Sequence, residues 1–168
     1  MPILLLALGS NLGDKSAQID SAVERIAVEI GHVMAIAPYM SSLAWGFVSE
    51  HTFLNTVVKV ETSLDVWKVL EKTQAIERQL GRTQKSHNAK YADRIIDIDI
   101  IDYNQQIIKS STLVLPHRQM HLRSFVLEPL CAIAPDWKHP LFELTAWELL
   151  DKLHKQTVKN KKSQKNVR

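Results

Sequence analysis

The stretch Arg94-Ile95-Ile96-Asp97-Ile98-Asp99-Ile100-Ile101 is where this chain is best equipped for chemistry. An isoleucine-rich run of this kind reads as a β-strand, here carrying two carboxylates two residues apart and an arginine at its entry. Successive side chains of a strand point to opposite faces, so Asp97 and Asp99 share one face while Ile96, Ile98 and Ile100 take the other. At ~3.3 Å rise per residue the two acids stand roughly 6–7 Å apart. Carboxylates that close repel each other and are costly beside an apolar core unless a cation joins them. A hard ion such as Mg²⁺, shared with the phosphates of a ligand, answers that need.

The residues before the strand point the same way. Arg82 opens a polar loop over residues 82–93 that also offers Lys85 and Lys90, and Arg94 follows. Cations and metal-binding carboxylates around one long loop suit a polyphosphate, whose oxygens are shared between metal and arginine forks. At this length and charge the loop suits a lid. There is no Gly-x-x-x-x-Gly-Lys-Ser/Thr, so the cradle is not a P-loop. A second cluster, Pro116 to Phe125, supplies His117 and Arg123 as phosphate donors and Phe125 as a stacking face. His117 and His121 lack the third partner a zinc site needs. Asn55 is the odd polar residue in an apolar strand; its buried amide needs partners, which the edge of a heterocycle would supply.

These residues need a scaffold. Residues 2–8 form a first strand, and Asp14 caps a helix through about Ile30 with an apolar stripe of Ile19, Ala22, Val23, Ile26 and Ile30. Val33 to Met40 is a second strand, followed by a loop over 41–52 with the aromatic patch Trp45-Gly46-Phe47. Phe53 to Glu61 alternates as a third strand, with Asn55 beside Phe53 and Val57 on one face. Thr62 or Ser63 starts a second helix that ends at Gly81, and the strand 95–101 follows. The order β-α-β-β-α-β predicts an α+β fold with a ferredoxin-like core: an antiparallel sheet with both helices on one face. A hairpin over 106–115, a helix over 122–133 bent at Pro129 and a helix opened by the capping box Thr145–Glu148 extend it.

Composition bounds the rest. The 168 residues, 45% hydrophobic and 23% charged, suit one well-filled core, so a single domain is expected over 1–155. Of 21 basic residues, seven fall between Lys152 and Arg168, where no acidic residue occurs; the other 14 face all 18 acidic ones, a net of −4. The positive excess therefore belongs to the tail, and residues 156–168 have so little to bury that a disordered segment is expected. Nucleic acid is not an expected partner of the body. Cys131 is the one cysteine, in an apolar run, and excludes an intrachain disulfide. No apolar run approaches the ~18 residues of a membrane span, and a cytoplasmic monomer is expected.

Taken together the motifs resemble the 6-hydroxymethyl-7,8-dihydropterin pyrophosphokinases of folate biosynthesis. The resemblance runs from residue 3 to about 140. It rests on Gly9-Ser10-Asn11-Leu12-Gly13, Trp45-Gly46, Phe53-Leu54-Asn55, Gln74 to Glu77, Leu80-Gly81-Arg82, Arg94 to Ile100, Pro116-His117, and Arg123-Ser124-Phe125 with Pro129-Leu130. It implies that ATP, as co-substrate, gives its β,γ-diphosphoryl group to the pterin's hydroxymethyl oxygen. Asp97 and Asp99 would hold two Mg²⁺. Gln74, Glu77, Arg82, Arg94, Ile100, His117 and Arg123 would line the ATP site, with Arg82 and Arg94 acting in catalysis. The pterin would stack between Phe53 and Phe125, near Trp45 and Asp97, with Asn55 and the backbone of Ser42 and Leu43 reading its edge. Departures from the family pattern are Phe53 in place of a frequent Tyr, Ser41-Ser42-Leu43-Ala44 without the usual proline, Tyr91 where some members have Trp, and Arg118 after His117. The rival reading is a ferredoxin-like small-ligand or RNA-binding module without catalysis. RNA-recognition sheets expose aromatics on their central strands, whereas two aspartates on a strand would repel a phosphate backbone.

Overall fold

The computed structural model describes residues 1–43, 52–81 and 95–166. Along the chain run β1 (Ile3–Ser10), α1 (Lys15–Glu29), β2 (His32–Ile36), β3 (Met40–Ser42), β4 (Phe53–Glu61), α2 (Val66–Gln79), β5 (Asp97–Tyr103), β6 (Ile108–Lys109), β7 (Val114–Leu115), a 3-10 turn (Met120–Leu122), α3 (Ser124–Ile133) and α4 (Ala146–Asn166). The main sheet is antiparallel in the order β2-β4-β1-β5, with β3 also paired to β4. β6 and β7 form a separate hairpin.

The alternation of β1 divides the molecule into two cores. Leu4, Leu6 and Leu8 pack with Ile19, Ala22 and Ile26 of α1 and with Val66, Val69 and Ile76 of α2. Leu5, with Val57 and Ile101, packs on the opposite face with Met120, Leu127 and Leu130, and with Leu149 and Leu150 of α4. The sheet is thus covered on both faces, α1 and α2 on one and α3 and α4 on the other. In β5 the register against β1 slips, Leu5 facing Asp102 and Leu6 facing Ile100. That bulge places Ile100 and Tyr103 in the first core and Ile101 in the second.

Local chemistry sets the element ends. Asp14 accepts from Ala17 N–H at 3.1 Å, as expected for the first helix. The second helix begins later than Thr62 or Ser63: Asp65 is its cap, accepting from Trp67 and Lys68 N–H at 2.9 and 3.0 Å. Thr62 is turned inward to donate to the carbonyl of Ile30 at 2.6 Å. Gly31, between α1 and β2, packs against the end of β4; a Cβ there would lie 2.2 Å from the carbonyl oxygen of Glu61. The expected strand 33–40 is two strands, broken at Ala37-Pro38-Tyr39, where proline has no N–H for the ladder. The expected helix 122–133 is a 3-10 turn followed by α3, which contains Pro129. The capping box of α4 forms as written, Thr145 N–H to Glu148 at 2.8 Å and Glu148 N–H to Thr145 at 3.2 Å. That helix continues to Asn166, through the segment expected to be disordered. Every residue after Leu153 that the structure describes is exposed, so local backbone bonding alone carries that extension.

Candidate active site

Strand register assembles the site. Gly9 of β1 lies opposite Asn55 of β4 on one side and opposite Asp97 of β5 on the other. Ala7 lies likewise between Val57 and Asp99. Asn55, Gly9 and Asp97 therefore form one row, and Asp97 and Asp99 share the face that α3 covers. The row is low at its centre: a Cβ on Gly9 would approach Asn55 Oδ1 to 3.2 Å and the Phe53 ring to 3.5 Å. Gly9 was not singled out in the sequence as a site residue; a glycine inside an apolar strand is itself the signal for such a close approach.

Asn55 is buried, and its amide nitrogen is fully committed. It donates to Ser42 Oγ at 2.7 Å and to the carbonyl of Met40 at 3.3 Å. A carbonyl only accepts, which fixes the amide orientation and leaves Oδ1 as an acceptor over Gly9. Phe53 is half-buried beside it, and Phe125, at the start of α3, packs against the second core on the same face of the sheet. Ser42 positions Asn55 through its side chain, while the Leu43 side chain is 81% exposed.

On the outer edge of β5 lies a cleft of about 330 Å³. Its walls are Thr73, Gln74 and Glu77 of α2, Asp97 to Ile100 of β5, Thr112 to Val114 of the hairpin, and His117 with Arg118. Glu77 is buried and accepts the Ile98 backbone N–H at 3.3 Å, between the two aspartates. Asp97 and Asp99 thus stand where the cleft meets the Gly9 row. Two partly exposed carboxylates on one face fit a hard divalent ion. Among the described residues no three His, Cys, Asp or Glu side chains form a ready cage.

His117 accepts Gln119 N–H on Nδ1 at 3.1 Å, so its proton sits on Nε2, 3.8 Å from Asp99 Oδ2. Burial pushes its pKa down to about 4, the Arg123 guanidinium adds to that, and Asp97 opposes it. The ring is neutral near pH 7, and its approach to Asp99 is not an ion pair. Arg123 is buried, donates to Gln119 Oε1 at 2.8 Å, and holds Nη1 3.6 Å from Asp99 Oδ2. Its guanidinium lies 5.7 Å from the Phe125 ring centroid. Of the residues expected at the site, Gln74, Glu77, Asp97, Asp99, Ile100 and His117 line the cleft, and Arg123 backs Asp99 from behind it. Ser42, Phe53, Asn55 and Phe125 gather on the α3 face. Trp45, Lys85, Lys90, Tyr91, Arg82 and Arg94 lie outside the described residues.

Known proteins resemble most of this chain. The family model described as 7,8-dihydro-6-hydroxymethylpterin-pyrophosphokinase matches residues 5–135. The chain is 45% identical over 141 residues to the 2-amino-4-hydroxy-6-hydroxymethyldihydropteridine pyrophosphokinase of Porphyromonas gingivalis, covering 83% of this chain and 95% of that one. It is 36% identical over 142 residues to the enzyme of the same name from Aquifex aeolicus, covering 84% and 86%. Among solved structures, wild-type HPPK-DHPS of Plasmodium falciparum superposes with a TM-score of 0.69 at 16% identity, over 90% of this chain. The chain spans 44% of that longer protein, and the likeness speaks for the fold alone.

Proposed function

The chain belongs to the 7,8-dihydro-6-hydroxymethylpterin-pyrophosphokinase family, and on that premise we propose that it transfers the pyrophosphoryl group of ATP to 6-hydroxymethyl-7,8-dihydropterin in folate biosynthesis. The hydroxymethyl oxygen attacks the β-phosphorus, the bond from that phosphorus to the oxygen shared with the α-phosphate breaks, AMP leaves, and the alcohol proton is released. One observation carries the reading. The aspartate pair sits at the junction of two spaces, the cleft along β5 and the flat row over Gly9.

In this reading ATP occupies the cleft, with Gln74, Ile100 and His117 against it, and its phosphates would be bound by Arg82 and Arg94, which lie outside the described residues. The pterin lies over Gly9 between Phe53 and Phe125. Asn55 Oδ1 accepts a ring N–H, because its own amide hydrogens are already spent on Ser42 and Met40. Asp97 and Asp99 would hold Mg²⁺, two ions in our reading. Bound there, Mg²⁺ would supply charge neutralisation to the polyphosphate. Glu77 fixes the strand edge between the aspartates through Ile98, and neutral His117 offers Nε2–H to a phosphate oxygen. Transfer of this kind needs alignment and charge balance more than covalent help from the protein.

We further read the order β2-β4-β1-β5 as a ferredoxin-like core extended by the hairpin, α3 and α4, with residues 1–155 as one catalytic unit acting as a cytoplasmic monomer. No helix among the described residues is long and apolar enough to cross a membrane. A coupled assay of AMP formation tests the activity: AMP should accumulate only with ATP, Mg²⁺ and the reduced pterin alcohol together. AMP release that ignores the pterin would sink the assignment.

A further inference from the structure

We propose that Arg118 is a phosphate-binding residue of the cleft on β5, a role that rests on the nucleotide reading above and adds a contact to it. The cleft wall is anionic: among its described lining residues, Glu77, Asp97 and Asp99 are carboxylates, and Gln74, Thr73 and Thr112 are uncharged. His117 is taken up by its neighbours, with Nδ1 accepting Gln119 N–H at 3.1 Å and Nε2 3.8 Å from Asp99 Oδ2. Arg123, the arginine that the sequence suggests for this task, is not among the described lining residues; its side chain is 8% exposed, donates to Gln119 Oε1 and lies 3.6 Å from Asp99 Oδ2. Arg118 is the one arginine or lysine among the described residues that line the cleft.

Its setting suits the task. The turn that carries it is pinned on both sides, His117 N–H to the carbonyl of Ile101 at 2.9 Å and Gln119 N–H to His117 Nδ1 at 3.1 Å. The backbone of residue 118 is therefore held against β5 while the side chain stays exposed. No carboxylate among the described residues holds its guanidinium in an ion pair. A ligand bearing roughly four negative charges, facing three carboxylates, gains from a guanidinium fork that can grip two phosphate oxygens at once. Arg118 binds the nucleotide's phosphates, and Arg123 instead positions Asp99.

Calorimetric titration of the full chain with a nonhydrolysable ATP analogue and Mg²⁺ tests this, with adenosine as the uncharged control. Arg118→Ala should weaken the analogue about tenfold and Arg118→Lys about threefold, with adenosine affinity unmoved. In turnover, KM for ATP should rise more than kcat falls. Unchanged analogue binding by Arg118→Ala, or an equal loss for adenosine, overturns the proposal. A chain that binds the analogue through Arg118 yet forms no AMP with the pterin would remove the pyrophosphokinase reading and leave this contact standing.

Discussion

Asp99 has two neighbours that set what it contributes, the cleft and Arg123. Asp99 lies 3.6 Å from a buried guanidinium, so it balances Arg123 as well as facing the cleft. Replacing either acid by alanine should lower kcat/KM about a thousandfold, read as AMP formation in folded protein. Asp99→Ala should also cost ~1–3 kcal/mol of stability, because a buried charge loses its counter-charge. An unchanged melting temperature for Asp99→Ala would remove the pairing role of Asp99. Gly9 makes a second residue-scale case. A methyl group there meets Asn55 Oδ1 at 3.2 Å, on the surface where the pterin would lie. Gly9→Ala should raise KM for the pterin at least about tenfold while ATP-analogue affinity holds, since the cleft lies on the far side of Asp97. Equal losses for both ligands would place the pterin elsewhere.

Between α3 and α4 the chain turns through His139, and that turn seats the two helices that cover the aspartate face. His139 Nδ1 accepts the N–H groups of Leu141 and Phe142, both at 3.2 Å, and its ring stacks on Phe142 with centroids 4.2 Å apart. The groups facing it are His121, edge-on at 6.4 Å, and Trp137; Lys152 in turn faces His121. Burial, with His121 adding to it, holds the pKa of His139 down to about 4, and burial also brings His117 to about 4. The sign follows from linkage. The folded state favours the neutral rings, so their stabilisation is complete above the ordinary value of 6.5 and is lost as pH falls through about 4. Protonating Nδ1 would also break both accepted bonds. The melting temperature should therefore fall steeply between pH 6.5 and 4. His139→Asn keeps an acceptor for the two N–H groups but has no proton to gain, so it should start lower, for want of the stacked ring, and fall less. Thermal melts at pH 7, 5.5 and 4.5 check this; a variant with the wild-type slope would show that the acid loss arises elsewhere.

For the molecule as a whole, strand alternation and helix stripes carried most of the design in readable form. The Asp97–Asp99 face, the span of β4 and the caps Asp14 and Thr145 follow from spacing and short-range hydrogen bonds, which a sequence displays directly. What stayed hidden depends on partners distant in the chain. Gly9 matters because register sets it between Asn55 and Asp97, and Arg123 turns inward because Gln119 and Asp99 are both within its reach. The end of α4 is a different case: low burial led to an expectation of disorder, yet the helix runs to Asn166. It does so without tertiary support. Lys155 and Lys159, and Lys161 and Lys165, are like charges at i,i+4, and the ion pair Lys155–Asp151 stands at the base of the extension. An isolated helical segment this short is marginal in water. Amide exchange should accordingly be fast beyond about Thr157 and slow at Leu149 and Leu150, which are buried in the second core. A chain ending at Gln156 should keep its melting temperature within about 2 °C, since the described residues it lacks are all exposed. Its ATP and pterin KM values should match the full chain. A loss of either on truncation would give the basic extension a part in the catalytic unit, which the exposure of its described residues argues against.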